Sequence, residues 1–242
     1  YEEKDNTFRI GVHRSKSRQY VLLDIGSTMS AEVRYLEAGK PNEPLQVFLP
    51  READHLYEVE HFGKDFYVLS NAGAPNFRLL KTPVKNTAKT AWQEVIAHRP
   101  DVFLENMELF RDYLVLGERK EGLLQLRVIR WKDQQEHYLN FGEPTYTAAI
   151  SINPEFDTPV LRYGYSSLTT PGSTFDYDMS TRSKTLLKEQ TVLGSFKKED
   201  YVTERVYATA TDGTRIPMSI VCCSTPTAPT ATPWTPPSAP PA

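Results

Sequence analysis

Tyr113-Leu114-Val115-Leu116, a polar turn through Arg119-Lys120-Glu121-Gly122, and the alternating run Leu124-Gln125-Leu126-Arg127-Val128 are the stretch from which the fold can be read. An apolar run of four bounded by turn residues and followed by alternation is the pattern of a buried strand hairpinned to a second strand. The same unit occurs three more times. Tyr20-Val21-Leu22-Leu23 turns through Gly26-Ser27-Thr28 into Val33-Arg34-Tyr35-Leu36. Phe66-Tyr67-Val68-Leu69 turns through Asn71-Ala72-Gly73 into Phe77-Arg78-Leu79-Leu80. Leu161-Arg162-Tyr163-Gly164-Tyr165 turns through Thr170-Pro171-Gly172-Ser173 into Thr174-Phe175-Asp176-Tyr177-Asp178.

The units start at Tyr20, Phe66, Tyr113 and Leu161, so they recur every 46, 47 and 48 residues. That is close to the ~40–50 residues of a four-stranded propeller blade. Flanking runs supply further strands. Thr7–Val12, Leu56–Glu60 and Thr145–Ile150 precede three of the units, and Leu45–Leu49, Trp92–Ile96 and His137–Leu139 follow three of them. No long stretch has helical periodicity. The expected class is all-β, with four propeller blades over residues 1–196; the competing architecture is a β-sandwich with evenly spaced hairpins.

Charge names no partner. The 242 residues carry 28 Lys and Arg against 31 Asp and Glu, a net charge of −3, so no strong overall field draws in nucleic acid or an anionic membrane. No apolar run approaches the ~20 residues that cross a bilayer, and the N-terminus Tyr1-Glu2-Glu3-Lys4-Asp5-Asn6 is the reverse of a signal peptide. A soluble cytoplasmic protein is the expectation. The only cysteines, Cys222 and Cys223, are neighbours and form neither a disulfide framework nor a zinc site.

After Phe196 the repeat stops. Lys197-Lys198-Glu199-Asp200 leads into a strand over Tyr201–Ala210, a turn at Asp212-Gly213, and a second strand over Arg215–Val221. These residues resemble a known junction. Tyr201-Val202-Thr203-Glu204-Arg205, Ala208-Thr209-Ala210-Thr211-Asp212-Gly213-Thr214 and Ile216-Pro217 are similar to the passage from propeller to hydrolase in the prolyl oligopeptidase family, in its oligopeptidase B branch. Arg162–Pro171 with Tyr177-Asp178 resembles the last blade of that family, and Glu32–Leu36, Val47–Arg51 and Asn76–Leu79 extend the likeness over residues 1–221. The resemblance implies about four blades of a seven-bladed propeller, then a hinge and the opening hairpin of an incomplete α/β-hydrolase domain over 197–221. It implies a cytosolic serine peptidase that cuts short peptides after Arg or Lys, with the propeller excluding folded proteins. The implied partners are short peptides and the missing hydrolase domain.

The first residue is Tyr rather than Met, and the 19 residues from Ser224 are Pro, Ala, Ser and Thr apart from Trp234, so both ends look cut or foreign. The expectation for 222–242 is a disordered tail in a shifted reading frame. Read one base earlier, Cys222–Thr225 permits Leu-Leu-Leu-Tyr and Pro226–Ala231 permits Ala-Tyr-Gly-Ser-Tyr-Gly, which resembles an early hydrolase strand of the family. A deletion or false splice would have to accompany the shift.

No catalytic, cofactor-binding or metal residue is assigned. Hydrolase chemistry in this family needs a serine in G-x-S-x-G with later Asp and His. The nearest match, Gly164-Tyr165-Ser166-Ser167-Leu168, lacks the second glycine. His13, His55, His61, His98 and His137 are scattered without metal-ligand spacing, and read as strand-end histidines. Arg14-Ser15-Lys16-Ser17-Arg18 and Glu118-Arg119-Lys120-Glu121 read as solvated charged turns. The aromatics read as packing between blades rather than stacking on bases or sugars. The chain alone is therefore expected to be inactive. The alternatives are a non-catalytic propeller that binds a protein partner, and a fragment of a post-proline-cleaving relative.

Overall fold

The structure is a computed structural model and describes residues 1–224. Four antiparallel meanders of four strands follow one another along the chain. Blade 1 comprises β1 (Arg9–Arg14), β2 (Tyr20–Gly26), β3 (Ala31–Glu37) and β4 (Gln46–Val47). Blade 2 comprises β5 (Tyr57–Phe62), β6 (Asp65–Ser70), β7 (Arg78–Pro83) and β8 (Gln93–Ile96). Blade 3 comprises β9 (Phe103–Leu109), β10 (Tyr113–Lys120), β11 (Leu123–Arg130) and β12 (Glu136–Tyr138). Blade 4 comprises β13 (Thr147–Ile150), β14 (Val160–Ser166), β15 (Ser173–Asp178) and β16 (Lys184–Glu189). A 3-10 turn at Lys198–Asp200 then leads to a separate hairpin, β17 (Tyr201–Thr209) and β18 (Arg215–Cys223).

The unbroken apolar runs have a physical cause. Side chains along a strand alternate between faces, and the second strand of a blade is covered on both. In β6, Phe66 and Val68 join the cluster shared with Leu22, Tyr35 and Phe48 of blade 1, whereas Tyr67 and Leu69 join the cluster shared with Leu114 and Leu116 of blade 3. In β10, Leu114 and Leu116 face blade 2, while Val115 packs with Leu126, Leu161 and Tyr163 toward blade 4. Full burial of such a side chain contributes about 1.5–3 kcal/mol. The aromatics form much of this packing, as in the edge-on pair of Phe48 and Phe66 and the stacked pair of Phe141 and Tyr165.

Two strands are not legible in the sequence. β9 reads Phe-Leu-Glu-Asn-Met-Glu-Leu, with no β-branched residue and several good helix formers; pairing with β10 overrides that local preference. β16 lies at the rim of its sheet with every residue exposed, so no burial pattern marks it. The turn between β10 and β11 is also tighter than the sequence suggests. Both strands extend to leave only Glu121 and Gly122, each at positive φ (48° and 80°), the two-residue turn whose twist suits a hairpin.

The reading of residues 222–242 as one tail is corrected at its start. Cys222 and Cys223 are strand residues, paired with Val202 and Tyr201, and Ser224 donates its N–H to the Asp200 carbonyl at 2.7 Å. Residues 225–242 lie outside the described residues.

Candidate functional site

Successive turns of a meander alternate between the two ends of its sheet, so the blades present two distinct sets of turns. At one end, here the distal end, lie the turns between the first and second strands of each blade. Lys16 and Arg18 of blade 1 meet Asn153 and Glu155 of blade 4, Arg111 of blade 3 donates its backbone N–H to Phe156 at 3.0 Å, and Phe62 of blade 2 packs on Phe156. At the opposite, hinge end lie the turns between second and third strands, of which that of blade 3 meets the β17–β18 hairpin and that of blade 4 meets Lys198 just before it.

Between the ends runs a groove of about 520 Å³, walled by the first strands β1, β5 and β9 together with parts of β2 and β3. Asp24, Glu32, Glu58, Glu60, Glu105 and Glu108 line it, and no lysine or arginine does. Some of these charges are answered. His13 Nδ1 lies 2.9 Å from Asp24, whose hydrogen bond holds the imidazole above its usual range, and Glu105 is paired to Arg119 at 2.7 Å. Glu58 and Glu60 make no salt bridge among the described residues. Burial pushes both carboxyls up from the ordinary glutamate value. Glu58 is open to the groove, but protein surrounds it on its other sides, which is why it behaves as a desolvated acid.

Both charged turns correct the sequence reading, since neither is simply solvated. Ser15 is buried, and the Lys16 side chain is 12% exposed. Its Nζ lies 2.6 Å from Glu108 Oε1 and 5.2 Å from the centre of the Phe110 ring, and also donates to the Asn153 carbonyl. Glu60 accepts the Lys16 backbone N–H at 2.9 Å. Glu118 is 1% exposed and gathers Arg99, Arg127 and the Tyr138 hydroxyl. Arg127 and Tyr138 sit on paired strands, whereas no local motif connects Arg99 to Glu118.

Two polar clamps hold the hinge end. Glu143 accepts hydrogen bonds from Ser167 (2.6 Å), Thr169 (2.9 Å) and Thr170 (2.5 Å), and from Lys198 (3.0 Å) in the 3-10 turn before β17. Burial alone would raise the Glu143 pKa, but these donors together outweigh it and hold the carboxyl at about 2. The second clamp joins the hairpin to blade 3. Tyr207 donates its hydroxyl to Glu121 at 2.6 Å, and Arg205 reaches the Glu121 carbonyl. Beside this contact a gap of about 570 Å³ separates β17 from Glu118, Tyr138 and Leu123.

The remaining sequence candidates fall into structural roles. Ser167 caps its own turn by accepting the Thr169 and Thr170 N–H groups, and Ser166 ends β14. His61 contacts Ser17 at 2.7 Å, and His137 contacts Tyr177 at 2.8 Å. One alignment escaped the sequence reading: Ser70 Oγ lies 2.9 Å from His55 Nε2, and Glu52 lies 3.8 Å from His55 Nδ1. Despite its serine-histidine-carboxylate order, it cannot attack a substrate. Ser70 is fully buried, its oxygen accepts the Ala72 N–H, and His55 is stacked on Tyr57.

The four blades have counterparts in known proteins. Residues 1–190 match the prolyl oligopeptidase N-terminal beta-propeller domain. The chain belongs to the prolyl oligopeptidase family. It is 40% identical over 223 residues to dipeptidyl aminopeptidase BI of Pseudoxanthomonas mexicana, covering 91% of this chain and 30% of that protein. It is 31% identical to protease 2 of Moraxella lacunata, covering 91% of this chain and 31% of that protein. Oligopeptidase B from Leishmania major superposes with a TM-score of 0.82 at 30% identity, covering 93% of this chain and 33% of that one. The chain thus spans about a third of the length of these family members. Its blades belong to the propeller of a peptidase family, which sets aside the β-sandwich alternative.

Proposed function

We propose that this chain is the propeller portion and hinge of a serine oligopeptidase that cleaves short peptides at basic residues, and that the propeller controls their access. The groove carries this reading: six carboxylates line it, and while Glu32, Glu105 and Glu108 are paired to arginine or lysine, Glu58 and Glu60 make no salt bridge among the described residues. A cationic peptide gains from every step along such a wall, whereas an acidic one is repelled. By itself the chain is inactive, because the sequence holds no G-x-S-x-G serine and so offers no nucleophile for an acyl-enzyme. The 40% identity to a protein named dipeptidyl aminopeptidase favours a second reading, in which the same propeller serves removal of dipeptides rather than internal cleavage.

The test is a chimera. Residues 1–221 replace the corresponding segment of Moraxella lacunata protease 2, and hydrolysis of Arg, Pro and unblocked dipeptide amides is compared. Activity on internal Arg bonds that falls when Glu58 and Glu60 are both changed to Gln supports the proposal. Faster release of dipeptides from free N-termini supports the second reading. A chimera that prefers proline, or ignores both substitutions, overturns the role given to the acidic groove.

A further inference from the structure

Lys16 stands where the acidic groove reaches the distal end. Glu60 and Glu108 belong both to the groove wall and to the surroundings of this lysine. Its ammonium has a carboxylate at 2.6 Å, a backbone carbonyl and the face of a phenyl ring around it. Those are the three kinds of group that receive a cation in a partly dry site: a counter-charge, a hydrogen-bond acceptor and a π face. They come from β9, from the turn after it and from the blade 4 turn, while the cation comes from blade 1. The site is thus already occupied by a cation, and that cation is the Lys16 amine on the turn between β1 and β2.

From this arrangement we propose that the distal pocket of Glu108, Phe110 and the Asn153 carbonyl is a binding site for the Lys or Arg side chain of an incoming peptide, and that Lys16 fills it as an internal stand-in which the peptide displaces. This deepens the access role proposed above and rests on it for the choice of basic peptides. Exchange of one cation for another leaves the pocket neutral throughout, so neither Glu108 nor the ring is left facing an empty site. The freed Lys16 keeps its charge on the surface, where hydration compensates it. Buried Ser15, the Lys16 N–H on Glu60 and Ser17 on His61 hold the turn in place, so the exchange moves the Lys16 side chain rather than its backbone.

The test uses the 242-residue chain and a fluorescein-labelled Gly-Arg-Arg-Gly peptide, with the uncharged citrulline peptide Gly-Cit-Cit-Gly as its counterpart. Binding is followed by anisotropy. K16M, which removes the stand-in, is expected to bind the Arg peptide about tenfold more tightly, as one extra half-buried charge pair would give. The citrulline peptide should not respond, and adding Glu108→Gln to K16M should cancel the gain. A K16M protein that binds the Arg peptide no better than the parent, or binds both peptides equally, overturns the proposal. If K16M does not fold, the parent chain decides. Saturating Arg peptide is expected to raise acetylation of Lys16 by an amine-reactive ester about threefold or more, following the loss of a protective partner, and an unchanged rate overturns the proposal. A chimera that ignores the Glu58 and Glu60 substitutions would remove the access role of the groove yet leave this binding result standing, so the two failures are separable.

Discussion

The seams between blades and the joint at the hinge are built from opposite materials. Between blades 2 and 3, Tyr67, Leu69, Leu114 and Leu116 interlock with almost no exposure, and their strands continue the packing on the other face. At the other end, the 3-10 turn and the hairpin after it touch the blades through Lys198 on Glu143 and through Tyr207 and Arg205 on Glu121, beside an open gap. An apolar seam has no low-energy alternative once apart, because separation wets its whole area. A polar clamp can trade each hydrogen bond for water at a net cost of about 1 kcal/mol. Parting the hairpin from the blades therefore costs less per contact than parting one blade from the next.

The contrast can be broken most decisively inside a seam. Leu126→Ala, at a fully buried position between blades 3 and 4, is expected to cost about 2–5 kcal/mol, read as a lower urea midpoint. A loss under about 1 kcal/mol would show that the seam is not what holds the blades. Glu118→Ala comes next. It strands Arg99 and Arg127 around a buried site and is expected to cost up to about 3 kcal/mol, while Tyr138→Phe costs about 1 kcal/mol or less in the same denaturation series.

Acid separates the regions by pH. Burial pushes His55 and His61 below the usual histidine value, so between that lowered value and about 6.5 the unfolded chain binds more protons than the folded one. Their contribution to stability is complete above about pH 6.5 and is lost as the pH falls. Glu143 behaves as a depressed acid: its contribution is present above about 4.5 and is lost as the pH falls toward about 2. The seam between blades 1 and 2, which holds both histidines, should therefore lose hydrogen-exchange protection at a higher pH than the 198–209 region. NMR titration should place His55 and His61 below 6.5 and His13 above it; a reversed order would refute the assignment.

The smallest effect is the most local. Tyr207→Phe removes one exposed hydrogen bond and is expected to change global stability by less than about 1 kcal/mol, yet to speed amide exchange along β17 severalfold. Equal slowing or speeding of exchange in the blades would mean that hinge and blades open as one unit, and the comparison would fail.

How far the sequence could be read follows the same division. The second and third strands of each blade were legible, because burial on two faces forces apolar runs and hairpin geometry forces turn residues. β9 and β16 were not, since one is strand only through its partner and the other faces water along its length. The family was legible in the Tyr201–Pro217 junction, whose residues form one continuous hairpin. The candidate site was not. Lys16 and Glu108 are 92 positions apart in the chain, as 108 less 16, and each in isolation looks like a surface charge.

By itself the sequence determined the blades, their number within this chain and their family, because repetition and hydrophobic pattern act locally along the chain and leave a periodic mark. Only the tertiary structure decided that Lys16 is enclosed, that Glu118 is buried and that Glu58 and Glu60 share a groove with no salt bridge among the described residues. Charge pairing depends on distance through space and on how much water remains. Neither quantity is written in the spacing of residues until the blades have closed around them.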